Sequence, residues 1–106
     1  MADQFDSILQ ILPKRHEALQ ELREILLANI VMTGEIPAAT YNEEARIRYL
    51  QDRFTESGCQ NVSVDEVGNC VGIWPGKKGK RKILAIAHVD TPFANTVDHA
   101  VTVQPD

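Results

Sequence analysis

His88 and Asp90 are the residues of this 106-residue chain whose types and spacing could do chemistry. They stand in the stretch KILAIAHVDTPF, Lys82 to Phe93, where five apolar residues, Ile83 to Ala87, run straight into the histidine. In an extended segment side chains alternate, so positions 88 and 90 project to the same side. A metal-bound imidazole needs a partner for its other ring nitrogen, and a nearby carboxylate fixes the tautomer and raises ligand basicity. Asp90 is spaced for that role, or for direct ligation. A His-x-Asp arises by chance in roughly one chain in six of ordinary composition. Position therefore carries the argument: the pair follows a buried-type run at a strand end, and open α/β sheets bind ligands beyond the carboxyl ends of their strands.

The other chemically suggestive residues have plainer readings. Lys77–Lys82, KKGKRK, holds five positive charges in six residues. No aromatic side chain interleaves with them to stack bases, so a solvated loop is expected. Cys59 and Cys70 lack the Cys-x-x-Cys spacing of zinc and redox motifs, and reduced structural thiols are expected. His16 falls among helix residues and is expected at the surface, and Asp98 and His99 in a loop. Trp74 is expected at the end of a strand, in core or edge packing. No Gly-x-Gly-x-x-Gly, Walker or Gly-x-Ser-x-Gly motif occurs.

The elements that must position His88 are legible from periodicity. Phe5, Ile8, Leu9 and Leu12 form one helical stripe, and Leu19, Leu22, Leu26 and Ile30 continue a second through residues 15–31. Pro13 is expected to interrupt the first helix or to open the next. A third helix follows, with Thr40 or Asn42 as its cap, Glu43 and Glu44 in its first turn, and Ile47, Leu50 and Phe54 facing inward. Gly58 is placed to end it in a left-handed conformation. Beyond Gly58 the period changes to two. Val62 and Val64 mark one strand, Gly68–Asn69 a turn, and residues 70–74 a second strand. The unbroken run Ile83–Ala87 predicts a central strand covered on both faces, and Val101 and Val103 the start of another. The fold class expected is α/β, with N-terminal helices followed by strands of a mixed sheet. The length suits one domain or part of one.

Taken together, residues 30–98 resemble the opening of the zinc-dependent exopeptidase family that includes aminoacylase, peptidase T and succinyl-diaminopimelate desuccinylase. ILAIAHVDTPF resembles that family's first metal motif. GEIPAATYNEEARIRYLQDRFTESGC is similar to its Ile-Pro segment and Glu-rich helix, and VDEVGNCVGIWPG to its first hairpin. The resemblance implies that His88 ligates zinc and that Asp90 is the carboxylate orienting it. It implies a parent enzyme with two zinc ions that cleaves peptide or N-acyl amide bonds, with a peptide or N-acyl amino acid as substrate. The bridging aspartate, the Glu-Glu pair and the later ligands of that family have no counterpart in this sequence. The chain is therefore expected to be an N-terminal piece of one catalytic domain, residues 1–106, truncated before the remaining ligands and inactive alone, with zinc bound weakly or not at all. The exposed sheet edges of such a piece predict homo-oligomerisation.

Composition narrows the rest. Charged residues make up 25% and the net charge is −4, so neither nucleic acid nor an anionic lipid surface is an expected partner. There is no apolar run long enough to span a bilayer, and MADQFDSILQ lacks the basic start of a secretory signal, so a cytoplasmic location is expected. Two rival readings stay open: a small non-catalytic interaction domain with an accidental His-x-Asp, and a nucleic-acid module using Lys77–Lys82.

Overall fold

The computed structural model describes residues 2–105 and divides the chain into two compact units, residues 1–32 and 33–106. The first unit is helical. Helix α1 spans Ala2–Glu21, and α2, Arg23–Gly34, begins there and runs on into the second unit. The break falls at Leu22, where the Leu22 N–H reaches Leu19 O at 3.1 Å in a tighter turn. It does not fall at Pro13, which lies inside α1. Proline removes one backbone donor from a helix interior, and here the helix carries that loss through. The stripe residues on these helices remain about half exposed or more, from Phe5 and Leu12 to Ile30.

The second unit holds helix α3, Glu44–Glu56, and two strands, β1 Gln60–Val64 and β2 Cys70–Ile73. Ile47 of α3 is buried, and Leu50 and Phe54 on the same face are partly so, as their spacing predicts. The N-terminal cap differs from expectation. Glu43 occupies the cap position without a side-chain cap bond, and the Glu43 carboxylate instead accepts the Tyr41 N–H at 2.9 Å. The C-terminus is as expected: Gly58 takes φ +90, its N–H reaches Thr55 O, and the Cys59 N–H reaches Phe54 O. That pair of bonds is the Schellman arrangement, which needs a residue without a Cβ penalty at the left-handed position.

Strands β1 and β2 pair antiparallel, Val64 opposite Cys70 and Ser63 opposite Val71, with an irregularity between Gln60 and Ser63. The hairpin turn is built on Asp65. Its carboxylate accepts the N–H groups of Val67 and Asn69 and the Asn69 side-chain amide, at 3.0, 2.8 and 2.9 Å. Gly68 supplies the positive φ of +91 that the turn requires. These bonds, the Asn69 side-chain bond first, hold the Asp65 carboxyl below its ordinary value. A depressed folded pKa means that the contribution is present above the unfolded value and lost as pH falls through the folded one. The Val67 and Asn69 amide shifts should therefore titrate together, with a midpoint below the usual aspartate range. A midpoint at or above that range would remove Asp65 as the turn's anchor.

Helix α3 packs on this hairpin, and Gly72 is where the two approach closely. A Cβ at position 72 would stand 3.0 Å from Phe54 Cδ2 and 3.2 Å from Cys59 Cβ. The phenyl ring can turn, but Cys59 Cβ is tied to the backbone. Gly72→Ala should cost about 1–2 kcal/mol of stability, because overpacking outweighs the reduced freedom of the unfolded chain. Chemical denaturation measures this, and an unchanged midpoint would show that the contact relaxes freely.

Three expectations about the sheet are corrected. Ile83–Ala87 is not a central strand: residues 81–90 lie outside any strand, and Ile83, Leu84 and Ile86 are 91%, 82% and 84% exposed. Nor do Val101 and Val103 begin one. The described residues form a two-stranded antiparallel sheet, so the sheet is not mixed. The physical reason is a shortage of partners. An all-apolar strand needs a hydrogen-bonded neighbour and a cover on both faces, and the described residues outside the hairpin provide neither. Trp74 lies just beyond β2 and is 68% exposed, so it is not core.

Candidate functional site

The site is assembled by two segments far apart in sequence, residues 34–42 and 88–101, lying against the start of α3. Thr91 N–H donates to Ala38 O at 2.8 Å, in a single parallel bridge between Ala39 and Thr91. The Ala39 N–H donates to Asn95 Oδ1 at 2.8 Å, and the Val101 N–H to Glu35 Oε1 at 3.1 Å. Ala38 is fully buried at this junction. Residues 39–42 form a tight turn, closed by Asn42 N–H to Ala39 O, in which Tyr41 takes φ +69. A non-glycine residue in that region is under local strain, and such strain concentrates at functional sites.

His88 and Asp90 come together beside this junction, within one segment. His88 Nδ1 lies 3.1 Å from Asp90 Oδ1 and 3.1 Å from the Asp90 carbonyl oxygen. Both partners only accept, so Nδ1 carries a proton, and in the neutral imidazole Nε2 keeps its lone pair, on a side chain 85% exposed. The other carboxylate oxygen, Oδ2, accepts the Thr40 hydroxyl at 2.6 Å. The Thr40 bond first, and then the His88 bond, hold the Asp90 carboxyl below its ordinary value, so it is ionised at neutral pH. The result is a chain of three groups, Thr40 hydroxyl to Asp90 carboxylate to His88 imidazole. It fixes the imidazole's tautomer and leaves one ring nitrogen available as a ligand or base.

Sequence reasoning assigned Thr40 to helix capping and missed its bond to Asp90. No local signal could have found it, because the partners are fifty residues apart. It also missed Arg46, which lies on the inward side of α3 beside Ile47 and is 9% exposed. Arg46 Nε donates to Ile36 O at 2.9 Å, Nη1 to Val89 O at 2.8 Å, and Nη2 to Ile36 O and to Gly34 O.

The remaining candidates stay apart from this cluster. Asp98 and His99 lie outside helices and strands, as expected. His99 Nδ1 donates to Val97 O at 2.6 Å, and His99 Nε2 is buried. Cys59 and Cys70 are free, and partial burial pushes the Cys70 thiol up, with the Cys59 sulfur adding to the effect. Lys77–Lys82 is an exposed loop. His16 is exposed on α1 and borders a groove of about 330 Å³ with Leu19, Leu26 and Ile30, which belongs to the N-terminal helices and not to the His88 site.

The residues of this cluster do not make a zinc site. Catalytic zinc takes three protein ligands. Among the described residues, no group of three or more His, Cys, Asp or Glu side chains stands close enough to hold a metal. His88 with Asp90 supplies one imidazole and one carboxylate bonded to it, so no metal-dependent step can be built from these residues alone.

Compared with protein-family models, with curated proteins and with solved structures, the chain matches none of them. Among the described residues no helix is long and apolar enough to cross a membrane.

Proposed function

We propose that this chain is part of a cytoplasmic zinc-dependent exopeptidase or amidohydrolase, to which it contributes His88 as a metal ligand and Asp90 as the carboxylate that orients it. The observation that carries the reading is the Thr40–Asp90–His88 chain, which leaves Nε2 of an exposed imidazole as the free donor. The remaining ligands and the general base would come from sequence outside these residues. The substrate class would be peptides or N-acyl amino acids.

The test is a titration with cobalt(II), followed by NMR of the three histidines. Cobalt should perturb His88 before His16 and His99, and His88→Ala should remove that first event. Equal perturbation of all three would sink the assignment. By the same reading the isolated chain binds zinc no more tightly than micromolar and turns over no dipeptide or N-acyl amino acid, since one ligand cannot activate a water. Turnover abolished by His88→Ala would show a complete site in this chain.

One observation favours a second reading, a non-catalytic interaction domain: Ile83, Leu84 and Ile86 form an exposed apolar run, and such runs mark interaction surfaces. Under that reading cobalt shows no preference for His88, and a partner protein covers residues 83–87.

A further inference from the structure

We propose that Arg46 is a positioning residue for the His88–Asp90 pair, acting through the Val89 carbonyl; the functional meaning of this role rests on the reading of His88 as a metal ligand. Val89 is the residue between the two members of the pair. The peptide torsions on either side of it decide whether the Asp90 carboxylate faces His88 Nδ1. In a sheet, ladder bonds would fix those torsions, but residues 81–90 lie outside any strand. Arg46 Nη1 instead holds the Val89 carbonyl at 2.8 Å.

The same guanidinium also sets the other half of the site. Nε and Nη2 hold Ile36 O, and Nη2 reaches Gly34 O at 3.3 Å. Two residues after Ile36 comes Ala38, whose carbonyl receives the Thr91 N–H, and then Thr40, whose hydroxyl binds Asp90. One rigid fork thus registers the segment that carries Thr40 against the segment that carries His88 and Asp90. The fork is mounted on α3, which is anchored by buried Ile47 and by the Gly58 cap.

The residue type fits the task. A guanidinium presents five N–H donors in a fixed plane, while a lysine ammonium is a point charge on a flexible stem. Each of the four bonds goes to a backbone carbonyl. What the side chain supplies here is geometry between two backbone segments, and a cation without the fork would not reproduce it.

The experiment reads the His88 tautomer by ¹⁵N NMR with no metal present, at a pH where the imidazole is neutral. The natural chain should show one tautomer, protonated at Nδ1. Arg46→Lys keeps the charge and should shift the pattern to the mixture of a free imidazole, and Arg46→Ala should do the same. Ethylguanidinium added to Arg46→Ala should restore the single tautomer. Gly72→Ala, which loosens α3 against the hairpin away from residues 88–90, should leave the tautomer fixed. A single tautomer retained in Arg46→Lys overturns the proposal, and so does its loss in Gly72→Ala. If both Arg46 variants fail to fold, the natural chain still decides. A through-hydrogen-bond coupling from Arg46 Nη1 to the Val89 carbonyl supports the role, and its absence overturns it. Because these readouts need no metal, a cobalt titration that shows no preference for His88 sinks the zinc reading alone. A tautomer that depends on Arg46 still supports the positioning role in that case.

Discussion

Arg46→Met is expected to lower the stability of residues 33–106 by about 3 kcal/mol, since hydrogen bonds to charged groups contribute roughly 1.5–3 kcal/mol each and their loss strands carbonyls in a part-buried site. Three carbonyls lose their donor: Gly34, Ile36 and Val89. Methionine fills much of the space of the arginine stem but offers no N–H. Water can reach some of the freed carbonyls, which is why the expected loss stays below the sum of the individual bonds. A domain's whole stability is about 5–15 kcal/mol, so the change should be visible as a large shift in the denaturation midpoint. It should also abolish the protection of the Thr91 amide in hydrogen exchange, because the Thr91–Ala38 bond joins the two segments that Arg46 registers. A midpoint within experimental error of the natural chain would mean that other contacts hold the junction.

The second large effect concerns association. The chain exposes 9568 Å². Two separate compact bodies with the lengths of its two units would expose roughly 7,000 Å² in total. The difference is larger than the ~800 Å² per partner that a standard protein interface covers. Much of the exposed surface is apolar, including Ile83, Leu84 and Ile86 and the stripe residues of α1 and α2. We propose that the isolated chain self-associates in solution, with residues 83–87 in the contact. Each large apolar side chain covered contributes about 1.5–3 kcal/mol. Replacing Ile83, Leu84 and Ile86 together by serine should therefore weaken association by at least about 100-fold. Sedimentation velocity on the natural and triple-substituted chains makes the comparison. A clean monomer of the natural chain at NMR concentrations would refute the prediction, and an unchanged oligomer of the triple variant would move the contact elsewhere.

What the sequence by itself determined is what local physics governs. Gly58 ends α3 because only a residue without a Cβ takes the left-handed cap at little cost, and this is visible in one letter after a helical stripe. The hairpin turn at Gly68–Asn69 and the inward face of Ile47, Leu50 and Phe54 follow from turn chemistry and a 3.6-residue period in the same way. The spacing of His88 and Asp90 already placed an imidazole and a carboxylate within reach of each other.

The tertiary structure decided everything that depends on a partner far along the chain. Thr40 reads as a helix cap by spacing, yet its hydroxyl binds Asp90, because a cap bond and a bond to a carboxylate compete and the latter is charge-assisted. Arg46 carries no signal in the sequence, yet it is buried, because three backbone carbonyls from two other segments converge on it. The run Ile83–Ala87 reads as a central strand, yet it lies exposed outside the sheet. Hydrophobicity states that such a segment is fit to be buried; whether it is buried depends on hydrogen-bonded neighbours and covering faces, and these are properties of the assembled fold and not of the segment.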